Sequence, residues 1–169
     1  MVAGADDSYQ IPDHGRFDTL TDYRSAIDRA IRCARRHIRV FERNLQDCGF
    51  NDPQRHEALN AFLLNNRDNR LQIVLHDVDY VQRYCPRTLS LLSRFSHAVS
   101  IHRTTQEARG VYDGIIVADD AHYIHRFHFD QPRGDWVCND IGRTQPLLRR
   151  FEEIWGASFV AVPATTLGL

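Results

Sequence analysis

The chain contains no lysine: all 21 of its basic side chains are arginines, set against 22 carboxylates and 9 histidines for a formal net charge of −1. Chemistry that needs an ammonium group, such as a Schiff base or a lysine clamp on phosphate, therefore has no residue to perform it. The near-neutral balance also argues against a protein that holds nucleic acid by bulk positive charge. The four cysteines, Cys33, Cys48, Cys85 and Cys138, form no C-x-x-C pair and have no histidine at zinc-finger spacing, so neither a disulfide framework nor a metal finger is expected. No stretch approaches the ~18 consecutive apolar residues of a membrane span, and the first residues lack a basic segment followed by an apolar one. A reduced, cytoplasmic setting is the expectation. There is no internal repeat and no low-complexity tract.

What is present, 169 residues of which 43% are hydrophobic, is enough for one well-buried core. Residues 1 to 20 are acidic and turn-rich and read as a leader or linker, residues 21 to 162 as a single domain and residues 163 to 169 as a tail. In "TDYRSAIDRAIRCARRH" the residues Tyr23, Ile27, Ala30, Ile31 and Ala34 share one helical face, and Asp28 stands four residues before Arg32 in pairing register. The β-branched run "HIRVFERN" predicts a strand from Ile38 to about Asn44. Asp52 followed by Pro53 marks a helix start, with Leu59, Phe62 and Leu63 as its stripe. The near-continuous apolar run "LQIVLHD" predicts a strand buried on both faces. A short helix capped by Asp79 follows, then a second resuming after Pro86, then a third strand in "AVSIHRT". This alternation implies crossovers and a largely parallel sheet.

The rhythm then breaks. "GVYDGIIVADDAHYIHRF" holds two strand-like runs, about 112 to 118 and 122 to 129, joined by an Asp-Asp turn too short for a crossover, so they form a hairpin and the sheet is mixed. A loop around "DQPRGD" leads to a last helix carrying Leu147, Leu148, Phe151, Ile154 and Trp155, with Gly156 as its stop. The fold class is α/β: a layered domain with a mixed, mainly parallel sheet flanked by helices.

This order of elements resembles one half of the phospholipase D-like phosphodiesterases, a family with an H-x-K-x-x-x-x-D motif at such a hairpin and a G-S-x-N stretch after it. The resemblance places Tyr112 at the histidine position, Gly114 at the lysine position and Asp119 at the aspartate position. The G-S-x-N place falls near Arg126, Phe127, His128 and Phe129. In the family the imidazole attacks phosphorus, the cation stabilises charge on the phosphoryl oxygens and the carboxylate orients the ring. With only the aspartate retained, the resemblance implies no catalytic residue, no cofactor and a degenerate domain, similar to an uncharacterised bacterial group some of whose members are associated with acetyltransferases. It also implies a homodimer, since active members join two such halves across a cleft.

Other chemistry is weighed beside this. His122, His125 and His128 are spaced by three, but on a strand His125 faces away from the other two, which stand ~20 Å apart, so they cannot share a metal. Asp119 and Asp120 are ordinary turn formers. Parallel strands gather their C-terminal ends on one side, where α/β folds bind ligands. There Arg43, His76, Asp77 and Arg103 would face Tyr112, Asp119, His125 and Arg126, with the arginines as forked donors for phosphate or carboxylate. The leading expectation is thus a non-catalytic binding or regulatory module for a phosphate-bearing ligand or a protein partner. The alternative is a phosphodiesterase or nuclease whose site is rebuilt from His102, His125 or His128.

Overall fold

A computed structural model describes residues 11–164. Three parallel strands form its centre: β2 (His37–Glu42), β3 (Arg70–Leu75) and β4 (Val99–Thr104). On the far side of β2 lies an antiparallel meander of β5 (Gly114–Ala118), β6 (His122–His128) and β7 (Gln131–Cys138), closed by β1 (Asp13–Phe17). Short β8 (Ser158–Val160) pairs antiparallel with β4 at the other edge. The result is one eight-stranded sheet ordered β1-β7-β6-β5-β2-β3-β4-β8.

The α/β mixed-sheet expectation holds, but parallel pairing is confined to β2, β3 and β4. The excess antiparallel share comes from strands that polar sequence concealed. Asp13–Phe17, expected in a leader, pairs residue for residue with Phe17↔Gly134 through Asp13↔Cys138, so the domain begins before residue 21. "DQPRGD", expected as a loop, lies largely within β7. Residues 1–10 and 165–169, the greater parts of the expected leader and tail, lie outside the described residues.

Helices cover both faces. On one, α1 (Leu20–Cys33) packs over β5, β6 and β7, with α2 (Pro53–Asn65) and α4 (Pro86–Arg94) beside it and the short α3 (Asp79–Tyr84) before α4. The larger core lies here, with Ile27, Ile38, Val40, Leu59, Leu71, Ile73 and Ile116 sealed from solvent. On the other face α5 (Ile141–Gly156), with Ala108 and Phe129 beside it, covers Phe41, Val74, Ile115 and Val117 through Phe151. Each such side chain contributes roughly 1.5–3 kcal/mol by leaving water, so the sheet is pinned from both sides.

The helix starts follow capping chemistry. Thr19 accepts the Asp22 N–H, Asp140 accepts that of Arg143, and Asp52, just before Pro53, accepts those of Gln54 and Arg55. Two sequence expectations are corrected. Asp79 is the first helical residue rather than the cap, and its own N–H is received by the Asp77 carboxylate. Asp28 pairs across to Arg55 of α2 at 2.8 Å instead of with Arg32, because Arg55 is buried and needs a carboxylate more than an exposed arginine does.

Candidate functional site

The C-terminal ends of β2, β3 and β4 meet the start of β5 and the end of β6, because β5 runs antiparallel to β2 with Phe41 opposite Ile115. Gly114 therefore sits beside Glu42, and Arg126, its register partner on β6, completes a row on the α1 face. A Cβ on Gly114 would lie 2.5 Å from Glu42 Oε1, so any side chain there requires Glu42 to shift. Where the family resemblance places a cation stands a buried carboxylate.

Glu42 is held by three neighbours. The Tyr23 hydroxyl donates to its Oε1 at 2.5 Å, the Arg126 guanidinium approaches to 3.6 Å and the Arg43 N–H reaches Oε2 at 3.4 Å. Burial pushes the Glu42 carboxyl up to about 7, outweighing the lowering by Tyr23 and Arg126. Burial likewise drives the Tyr23 hydroxyl and the Cys48 thiol, 3.7 Å from each other, well above their ordinary values. Arg126, 3% exposed, donates to Asp47, to the Phe129 carbonyl and to the Gln131 carbonyl. Its guanidinium is spent inside the protein. The expectation that Arg126 binds ligand is corrected for that reason.

The other expected residues divide by strand geometry. His76 is buried with both ring nitrogens occupied, Nδ1 by the Thr104 hydroxyl and Nε2 by the Val111 carbonyl, each at 2.6 Å, while Phe41 and Phe129 pack on the ring edge-to-face. Burial lowers its affinity for a proton. It is a core histidine. Asp77 is exposed at the rim and ties down the start of α3. Arg43 is half-exposed, paired at 2.7 Å with Asp130 and lying over the Phe129 ring. Tyr112, 55% exposed, stacks on His128. Arg103 is exposed on β4, two strands from β2 and thus roughly 10 Å along the rim. Asp77 donates its backbone N–H to the Arg43 carbonyl at 2.9 Å, and Tyr112 and Arg43 both meet Phe129, so these three adjoin on the rim with Arg103 flanking them.

Two residues leave the group. His125 points to the opposite, α5 face, since side chains alternate along β6, and there it bonds Asp113 at 2.8 Å while Arg150 reaches the other Asp113 oxygen at 2.5 Å. Burial works to raise the Asp113 carboxyl, but the His125 hydrogen bond and the Arg150 charge hold it below its ordinary value. Asp119 lies at the far end of β5, about 16 Å from Gly114 at ~3.3 Å per residue. With φ of 54°, it accepts the backbone N–H groups of Arg35, Arg36 and His37 at 2.8–3.0 Å. It caps the entry to β2 and orients no ring.

The alternative site also separates. His102 stacks on Trp155 at 3.7 Å and bonds the Ser158 hydroxyl; it stands four strands from His125 in the sheet order, roughly 19 Å. His128 lies on the rim with Tyr112. The three histidines do not converge. One grouping absent from the sequence reasoning does: Cys33, His122 and Cys138 place ligand atoms within 4.8 Å of one another. Its two cysteines come from 105 residues apart in the chain.

A family model described as "Domain of unknown function (DUF7931)" matches residues 19–164, and the chain belongs to that family. No curated protein matches it. Among solved structures it is similar to the phospholipase D family member Nuc from Salmonella typhimurium, with TM-score 0.63 and 15% identity over 89% of this chain and 99% of that one. It is also similar to TrmBL2, an archaeal chromatin protein, with TM-score 0.64 and 10% identity over 88% of this chain and 54% of that one. A third is phosphatidylserine synthase from Haemophilus influenzae Rd KW20, at 0.56 and 12% over 94% and 41%. At these identities the likeness is one of fold, and the fold is that of phospholipase D family members. No helix among the described residues is long and apolar enough to cross a membrane.

Proposed function

We propose that this chain is a non-catalytic member of the phospholipase D fold, acting as a binding or regulatory module. The observation that carries this reading is the contact at Gly114, where a buried Glu42 carboxylate stands at the place of the family's phosphate-binding cation. An anionic phosphodiester brought there would meet a carboxyl group, neutral below about 7 and like-charged above it, in place of a stabilising cation. The position of the attacking imidazole holds an exposed phenol, Tyr112. A phosphate-bearing ligand would instead sit on the rim, with Arg43 as its forked donor and the Tyr112–His128 stack as an aromatic platform. Calorimetric titration with inorganic phosphate tests the reading: saturable binding lost in Arg43→Ala supports it, and binding unchanged by that substitution refutes the rim site. The same module with a protein partner instead of phosphate predicts no heat with phosphate and a stable complex whose formation depends on Tyr112.

A second reading rests on the His125–Asp113 pair, an imidazole oriented by a carboxylate with Arg150 adjacent. That is the geometry of a general base, and it supports a phosphodiesterase built on the α5 face. It requires turnover that His125→Ala abolishes.

A further inference from the structure

On the edge of the domain away from Glu42, three residues from three elements converge. Cys33 ends α1, His122 opens β6 and Cys138 ends β7. The two sulfurs are 4.0 Å apart, and one ligand atom from each of the three residues lies within 4.8 Å of the others. A tetrahedral zinc with Zn–S bonds of about 2.3 Å sets its sulfurs about 3.8 Å apart. The thiols therefore already stand close to the separation that a shared zinc demands. His122 is buried, and its Nδ1 accepts the Asn139 backbone N–H, so the ring carries a lone pair at that nitrogen.

We propose that Cys33, Cys138 and His122 form a binding site for a thiolate-seeking divalent cation, Zn2+ being the fitting one, with the fourth position open to water. Loading balances simply: each thiol gives up its proton to solvent as its sulfur bonds the metal, and no electron is transferred. In the metal-free form His122 Nδ1 accepts the Asn139 backbone N–H at 3.1 Å. Metal binding exchanges that hydrogen bond for a metal bond through a ring lone pair and leaves the Asn139 N–H to another acceptor. The bound ion ties the end of α1 to the ends of β6 and β7. Arg29, which lies over Trp136, borders the same recess, Asp13 stands opposite Cys138 on β1, and Asp119 and Asp120 bear on His122.

The test uses the full chain, reduced and metal-free. Zn2+ titrated against a chromophoric chelator should bind at one equivalent, and Co2+ should give thiolate charge-transfer absorption and the visible bands of a four-coordinate ion. Cys33→Ser or Cys138→Ser should abolish both signals, His122→Ala should weaken binding at least tenfold, and Cys85→Ser should leave it unchanged. Should a variant fail to fold, alkylation of the wild-type chain with and without Zn2+ decides instead, with protection expected at Cys33 and Cys138. No stoichiometric binding, or binding with those two thiols still reactive, overturns the proposal. So does a chain whose Cys33 and Cys138 prefer a disulfide and take no metal from the reduced state. Acidification should release the ion, since two protons compete for it.

Discussion

The two ends of β5, one strand of five residues, have opposite characters. At the Asp119 end the polar group does what a backbone needs: its carboxylate answers three N–H groups where β2 begins. At the Gly114 end there is no side chain, and the Glu42 carboxylate occupies the space a Cβ would take. The comparison separates two kinds of requirement within one motif. A group that satisfies the backbone is needed for folding whatever the chemistry, whereas the place of the family's cation carries no such backbone duty and here holds no side chain.

The largest effect should come from the Gly114 end. Arg126→Ala leaves Glu42 and Asp47 without their guanidinium and should destabilise the fold by about 3–5 kcal/mol in denaturant unfolding. A loss below about 1 kcal/mol would mean Arg126 is dispensable and the row at Gly114 is not a unit. Gly114→Ala forces Glu42 off its partners and should cost on the order of 2–3 kcal/mol. Coupling it with Glu42→Ala should recover part of that loss, and strict additivity of the two would break the contact that the functional reading rests on. At the Asp119 end, Asp119→Ala strips three N–H groups of their acceptor and places alanine at a φ of 54°. About 2 kcal/mol should be lost, and less with Asn, which tolerates that backbone.

The pH dependence sharpens the contrast. Glu42 holds its proton up to about 7 in the folded state and releases it near 4.3 when unfolded. Between those values the folded chain binds more protons, so the Glu42 contribution to stability is full at low pH and falls as pH rises through that window. Glu42→Gln should therefore gain on the wild type across it, by on the order of 3 kcal/mol at most. Unfolding curves at several pH values that stay parallel would show the carboxyl to be unperturbed. The smallest effect is expected at the rim, where Arg43→Ala breaks an exposed pair and should change stability by no more than about 1 kcal/mol.

How much of this was legible beforehand follows from where the apolar residues lie. Strands β2, β3, β5 and β6 announce themselves by runs such as "LQIVL" and "GIIVA", and α2 by Asp52 and Pro53. Strand β7 is half-exposed and polar, β1 carries only Phe17 into the core and β8 is three residues long, so none offered a period to read. The site was harder still. Glu42 sits in "VFERN", indistinguishable in sequence from a solvated acid; only its distance partners, Tyr23 on α1 and Arg126 on β6, make it buried. Alternation along β6 was enough to set His125 against His122, yet nothing local indicated that Asp113 and Arg150 would meet it. The meeting of Cys33 with Cys138 depends on α1 packing over β7, a strand that composition hid.

The most direct measurement of the central claim is steady-state release of nitrophenolate from bis(p-nitrophenyl) phosphate by the wild-type chain beside His125→Ala. The account predicts no release above buffer from either. Multiple turnovers by the wild type, lost in His125→Ala while the variant stays folded, would contradict it.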